Sequence, residues 1–200
     1  MLSKEKLATE KFTQAICEKI KENTNAVNFN FLIGKNDEVF VFTEEFIEKS
    51  NMTEFHQGFL YSVSTSGGQI LLNKVLKCEY SYVEFFKGRP YLNIELLRVL
   101  DKSKMKTGLG TIMINYLEHL ALKNNCFAVQ GEFSPLRPEY REDVKHFYQR
   151  NGFLISFAGM KNFLRKEKEN LREVKVEKVG FVNVFNTVLS NKLLHCEMEK

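Results

Sequence analysis

Apolar positions along this chain recur with two different periods, and the switches between them mark the elements. Between residues 3 and 22, Leu7, Phe12, Ile16, Cys17 and Ile20 fall at near-helical spacing with Lys and Glu elsewhere. That pattern predicts an amphipathic surface helix. Asn28 to Ile33 and Glu38 to Thr43 read as short strands parted by the turn Gly34-Lys35-Asn36-Asp37. Residues 44–63 mix Phe and Leu with Glu, Lys and His and read as partly helical, and Ser64 to Gly68 reads as a turn. From Gln69 the chain is strand-like, with Tyr80, Tyr82, Glu84 and Phe86 alternating against Ser81, Val83 and Phe85. Lys87-Gly88-Arg89-Pro90 closes a hairpin into Tyr91–Leu100, a run rich in Leu, Ile and Val that reads as a buried strand.

A helix follows. From Gly110 to about Asn124, Met113, Leu117, Leu120 and Ala121 share one stripe. Cys126 to Phe133 then reads as a strand, Glu139 to Arg150 as a helix and Phe153 to Phe157 as a strand. Met160 to Leu171 reads as a short charged helix, and residues 174–189 are again strand-like, with Val179, Phe181, Val182, Val184 and Phe185. No internal repeat, low-complexity tract or Pro-rich linker divides the chain, so residues 1–200 are expected to form one domain.

Composition narrows the function classes. No run approaches the ~18 apolar residues of a membrane span, and the charged N-terminal stretch lacks the apolar core of a secretory signal, so a cytoplasmic location is expected. The four cysteines are scattered without a C-x-x-C pair, which argues for reduced thiols and against a structural zinc. His56, His119, His146 and His195 form no ligand spacing, so no metal is expected. The net charge of +4 is mild and spread out, and no nucleic-acid recognition motif accompanies it. One local basic cluster, Lys102, Lys104 and Lys106, sits against a glycine turn.

That turn, Met105-Lys106-Thr107-Gly108-Leu109-Gly110-Thr111, joins a strand to a helix N-terminus. Such a junction leaves backbone N–H groups unpaired and points the positive end of the helix dipole outward, as a phosphate cradle requires. A nucleoside-triphosphate loop needs Lys and Ser or Thr directly after the last Gly, where Thr111-Ile112 stand. A dinucleotide fingerprint needs a third Gly at Met113, and its strand opens a βαβ series rather than following a hairpin. Coenzyme A survives the comparison, because it needs a pyrophosphate cradle and a strand edge for its pantetheine amides. Val99-Leu100, directly upstream, could offer that edge.

A second signature, Phe147-Tyr148-Gln149-Arg150-Asn151-Gly152-Phe153, begins 37 residues after Gly110. Together the two segments and the element order around them resemble the GNAT superfamily of acetyl-CoA-dependent N-acetyltransferases, over about residues 79–158. The resemblance implies an α/β fold with a mixed, mostly antiparallel twisted sheet of six to seven strands flanked by helices. In it the cofactor lies in a cleft between central strands. It also implies direct attack of an amine on acetyl-CoA in a ternary complex. The acceptor is then a small-molecule amine or a peptide or protein amine, and a homodimer is an open possibility. Val99, Leu100, Met105, Lys106, Thr107, Gly108, Leu109, Gly110 and Thr111 are the expected cofactor-binding residues. Met105 stands where the family usually has Gln or Arg, and Arg141 where it often has Asn. A non-catalytic module of the same fold, binding coenzyme A or a protein partner, is the alternative.

Acetyl transfer needs a neutral amine, a stabilised oxyanion and a proton for the leaving thiolate. Tyr148 matches the family's general acid, since a phenol of pKa ~10 is close to an alkyl thiol; the other reading of Tyr148 is a core aromatic beside Phe147. Glu95, mid-strand in an otherwise buried run, and Glu132 on the next strand are the two candidate bases, and ordered water is a third route. Cys126 could in principle carry an acyl group, but no His adjoins it in sequence.

Overall fold

Five consecutive strands, each reversing on the one before, make most of the sheet. The computed structural model describes residues 14–22, 28–33, 38–67, 69–85, 89–133, 138–158 and 161–171. A helix at residues 14–22 (α1) comes first. β1 (Asn28–Ile33), β2 (Val39–Lys49), β3 (Thr53–Ser66), β4 (Gln69–Phe85) and β5 (Arg89–Val99) then pair antiparallel in turn. α2 (Leu109–Lys123) crosses over to β6 (Ala128–Phe133), which runs parallel to β5. α3 (Arg141–Arg150) leads into the hairpin of β7 (Leu154–Ala158) and β8 (Lys161–Glu167), and β8 docks antiparallel on β6. Among the described residues the result is one mixed, mostly antiparallel sheet of eight strands, in the order β1-β2-β3-β4-β5-β6-β8-β7. This is the expected fold class with more strands than the six to seven anticipated.

Each face of the sheet has its own core. Phe40, Phe42, Leu60, Leu76, Cys78, Tyr80, Leu92 and Ile94 meet Met113, Ile114, Leu117 and Ala121 of α2, each no more than 3% exposed. Tyr148 and Phe153 join the same cluster, so α3 packs on the α2 face. On the opposite face Ile16 and Ile20 of α1 seal against Val39, Val41 and Val63. No helix among the described residues is long and apolar enough to cross a membrane.

Two segments depart from the sequence reading. Residues 44–63, expected to be partly helical, continue β2 and form most of β3. Their mixture of Phe and Leu with Glu, Lys and His shows no clean alternation; what decides the conformation is ladder pairing on both sides, with Phe42 opposite Leu60 and Phe46 opposite His56. Of the run 160–171, expected to be a charged helix, the described residues form β8 and one 3-10 turn. The buried members of that strand are Leu164 and Lys166. A lysine in a core position hid the period-two pattern. The strand expected between 174 and 189, the turn 34–37 and the first half of the N-terminal helix lie outside the described residues.

Candidate functional site

β5 and β6 part company soon after they meet. Their parallel pairing covers only Leu92 with Val129, Asn93 with Gln130 and Ile94 with Gly131. β5 then runs on to Val99 and β6 to Phe133 with no pairing between them. The cause lies on the other side of β5. Its register with β4 shifts between Leu96 opposite Glu79 and Ile94 opposite Tyr80, which makes Glu95 the extra residue of a β-bulge. A bulge bends its strand and sharpens the local twist. The bend carries the Leu96–Val99 stretch away from β6 and leaves a wedge with one strand edge unused.

The glycine turn closes the far end of β5. Leu100 N–H donates to the Val75 carbonyl at 2.9 Å, and a 3-10 turn at Lys102–Lys104 follows, capped by Asp101, whose carboxylate accepts from the Ser103 amide at 2.9 Å. Gly108 is the N-cap of α2 at φ 98°, a left-handed conformation that favours glycine, and no side chain caps the helix. The Thr107 hydroxyl donates instead to the Lys104 carbonyl at 2.6 Å. The first intrahelical bond is Ile112 N–H to the Gly108 carbonyl at 3.0 Å, so the amides of Leu109, Gly110 and Thr111 have no partner within the helix. A Cβ at Gly108 would meet nothing within 4 Å, so the space in front of the cap is open. Gly110 is different. A Cβ there would lie 2.8 Å from Phe147 Cζ, so this glycine serves the contact between α2 and α3.

Of the basic cluster, Lys104 Nζ lies 3.5 Å from Glu38 Oε1, and Lys106 Nζ lies 3.4 Å from Asp143 Oδ2 at the start of α3. Met105 is exposed at the turn, and Val99 and Leu100 are half-buried and exposed at the strand end. The nine residues expected to hold a cofactor therefore form one continuous strand end, turn and helix cap.

The candidate catalytic groups divide between the two faces. Tyr148 lies on the α2 face, only 6% exposed, with Phe133, Phe147 and Phe153 rings 5.0–5.7 Å from its own. Burial pushes its hydroxyl above the ordinary phenol range, so it keeps its proton at neutral pH. Glu95 and Glu132 are both exposed. Glu132 is opposite Phe163 on the face away from α2. Glu95 is on that face too, held by Ser81 of β4 and by Asn93 of its own strand. Its Oε1 accepts from Ser81 Oγ at 2.7 Å and from Asn93 Nδ2 at 2.6 Å. Tyr148 and the two carboxylates therefore lie on opposite faces of the sheet. Cys126 is fully buried, and burial pushes its thiol up to about 11. At neutral pH that leaves little thiolate for an acyl-enzyme route.

Sequence reasoning missed a polar cluster under the C-terminal end of α2. The Tyr80 hydroxyl donates to Glu44 Oε1, and His56 Nδ1 lies 3.1 Å from the same oxygen. The His56 ring stacks on Tyr80 at 5.1 Å with 7° between planes, and Asn124 Nδ2 donates to the Tyr82 hydroxyl at 2.9 Å. Burial raises the Glu44 carboxyl, but the His56 nitrogen, the Tyr80 hydroxyl and the charge of Lys123 outweigh it and hold the group below its ordinary value. With Glu44 and His56 assigned to a helix, no sequence signal could bring them together.

No family model and no curated protein matches the chain. Among solved structures it is similar to a GNAT-family protein from Desulfovibrio desulfuricans at 18% identity, covering 57% of this chain and 69% of that one, with a TM-score of 0.39. It is similar to Arabidopsis thaliana Naa50 in complex with a bisubstrate analogue, at 16% identity over 56% and 72% of the two chains and a TM-score of 0.41. It is also similar to the KacTA–DNA complex, at 18% identity over 68% and 76% and a TM-score of 0.43. With every TM-score below 0.5, what the chain does must be read from its own residues.

Proposed function

We propose that this protein is an acetyl-CoA-dependent N-acetyltransferase in which an amine acceptor attacks directly in a ternary complex. The observation that carries the reading is the wedge between β5 and β6. The strand that borders it, β5, leads through the glycine turn to an uncapped helix N-terminus whose glycine cap faces open space. A long anionic cofactor with an amide-bearing arm needs both features. The free amides of Leu109, Gly110 and Thr111, with the dipole of α2, would hold its pyrophosphate. The unused edge of β5 up to Val99-Leu100 would take its pantetheine amides. Lys104 and Lys106 flank the turn as ion pairs with Glu38 and Asp143, from which an anionic cofactor would draw them, while the Met105 side chain offers no hydrogen bond.

Acetyl-CoA supplies an activated acetyl thioester when bound. Tyr148, kept protonated by burial, is the donor to the departing sulfur. Glu95 takes the proton of the attacking amine from the opposite face, with Glu132 the second candidate carboxylate on that face. The acceptor is a small-molecule or peptide amine.

Two measurements test this reading. Acetyl-CoA at ~100 times its Kd should add ~2.7 kcal/mol of stability in a thermal-shift titration; no shift at millimolar ligand would sink it. Thiol release over a panel of amines, amino acids and peptides then separates a transferase from a binding module.

A further inference from the structure

Glu95 is held by one oxygen. Ser81 Oγ and Asn93 Nδ2 both donate to Oε1, at 2.7 and 2.6 Å. Among the described residues no hydrogen bond or ion pair is assigned to Oε2. The two donors are cross-strand partners, Ser81 on β4 opposite Asn93 on β5. Ser81 is fully buried, so its hydroxyl is anchored within the sheet, whereas Glu95 is exposed. The bulge explains the geometry. As the unmatched residue of β5, Glu95 reaches back over the Ser81–Asn93 pair instead of standing in register with a β4 residue of its own.

We propose that Ser81 and Asn93 are positioning residues that clamp Oε1 of Glu95, so that Oε2 is held in one place as the base for the acceptor amine. This rests on the transferase reading above. As the nitrogen–carbon bond forms and the carbon–sulfur bond breaks, one proton passes from the acceptor nitrogen to Oε2. A carboxylate fixed through one oxygen by two donors keeps the other at one place and in one orientation. Misplacement of a reacting group by about 1 Å can cost up to 10²-fold in rate, so the clamp acts on kcat and leaves acceptor affinity largely alone. Glu132 gains no comparable argument from the sheet register, because it lies on β6 opposite Phe163.

The test is a set of substitutions assayed by thiol release with the best acceptor, after circular dichroism and a melting curve establish folding. Glu95→Gln should lower kcat by ~10²-fold or more, as loss of a general base does. Ser81→Ala and Asn93→Ala should each lower kcat ~10-fold while KM for the acceptor moves less than twofold. Because Asn93 is only half-buried, its substitution keeps the test available if the Ser81 variant does not fold. In the Glu95→Gln background neither substitution should lower kcat further, since each acts through that carboxylate; a structural role would add its full loss there. If Glu95→Gln is slow but Asn93→Ala and any folded Ser81→Ala retain full kcat, or if the losses add, the clamp is overturned while the base stands. If Glu95→Gln keeps full kcat, the base assignment falls and the clamp with it. A wild-type protein that releases no thiol with any acceptor overturns the transferase reading itself.

Discussion

Lys166 Nζ lies 2.7 Å from Glu118 Oε1 and 3.0 Å from the Asn151 carbonyl oxygen, with both side chains no more than 2% exposed. One ammonium thereby joins β8 to the middle of α2 and to the C-terminal cap of α3. These are the helix whose N-terminus forms the proposed cradle and the helix that carries Tyr148. Removing one partner of a buried pair strands the other charge and costs ~3–5 kcal/mol, whereas replacing both by apolar groups is often nearly neutral. Lys166→Met alone should therefore lower urea-unfolding stability by about that much. Lys166→Met with Glu118→Leu should lose markedly less than the sum of the two single changes. Additive losses would show that the pair does not act as a unit.

The two glycines at the start of α2 should answer differently to substitution. Gly108→Asp places a carboxylate in open space before the helix amides, where it repels a pyrophosphate and adds the strain of a left-handed residue. It should abolish acetyl-CoA binding by calorimetry in a protein that still folds, while Gly108→Ala, which adds the strain alone, should retain most of it. Gly110→Ala should instead cost ~1–3 kcal/mol of stability through the clash with Phe147, and Phe147→Leu should recover part of that loss. Unchanged affinity in a folded Gly108→Asp variant would remove the cradle.

Tyr148→Phe keeps the ring among Phe133, Phe147 and Phe153 and should shift the melting temperature little. If the hydroxyl protonates the leaving thiolate, kcat should fall ~10²-fold or more. The Kd for acetyl-CoA should change far less, because the lost interaction develops in the transition state. A variant at full kcat would make Tyr148 a packing residue.

The Glu44 cluster makes stability depend on pH. A carboxyl whose folded pKa lies below its unfolded value stabilises the fold above the unfolded value of ~4.3 and loses that contribution as pH falls through the folded one. The stability gap between wild type and Glu44→Gln should accordingly be full at pH 7 and shrink below about pH 4. Denaturant midpoints at pH 7 and pH 3 measure it, and a gap that stays constant would mean that the carboxylate charge contributes nothing.

Local pattern alone determined β1, the strand β5, the apolar stripe of α2 and the glycine turn between them, because each is written in neighbouring residues; the expected burial of β5 holds only at Leu92 and Ile94. The family resemblance carried by the glycine turn and the Phe147–Phe153 run anticipated a mixed, mostly antiparallel sheet. The tertiary structure decided what depends on partners far along the chain. Lys166 occupies a core position because Glu118, 48 residues earlier, lies opposite it, and by itself that lysine made β8 look like a solvated helix. Glu44 and His56 are strand residues because β2 and β3 find each other and β4. Gly110 carries a packing demand that its neighbours in sequence do not show, because the ring it must admit belongs to Phe147, on the next helix. The wedge depends on the bulge at Glu95, and a bulge exists only as a mismatch between two paired strands. No property of residues 91–100 read alone could reveal it.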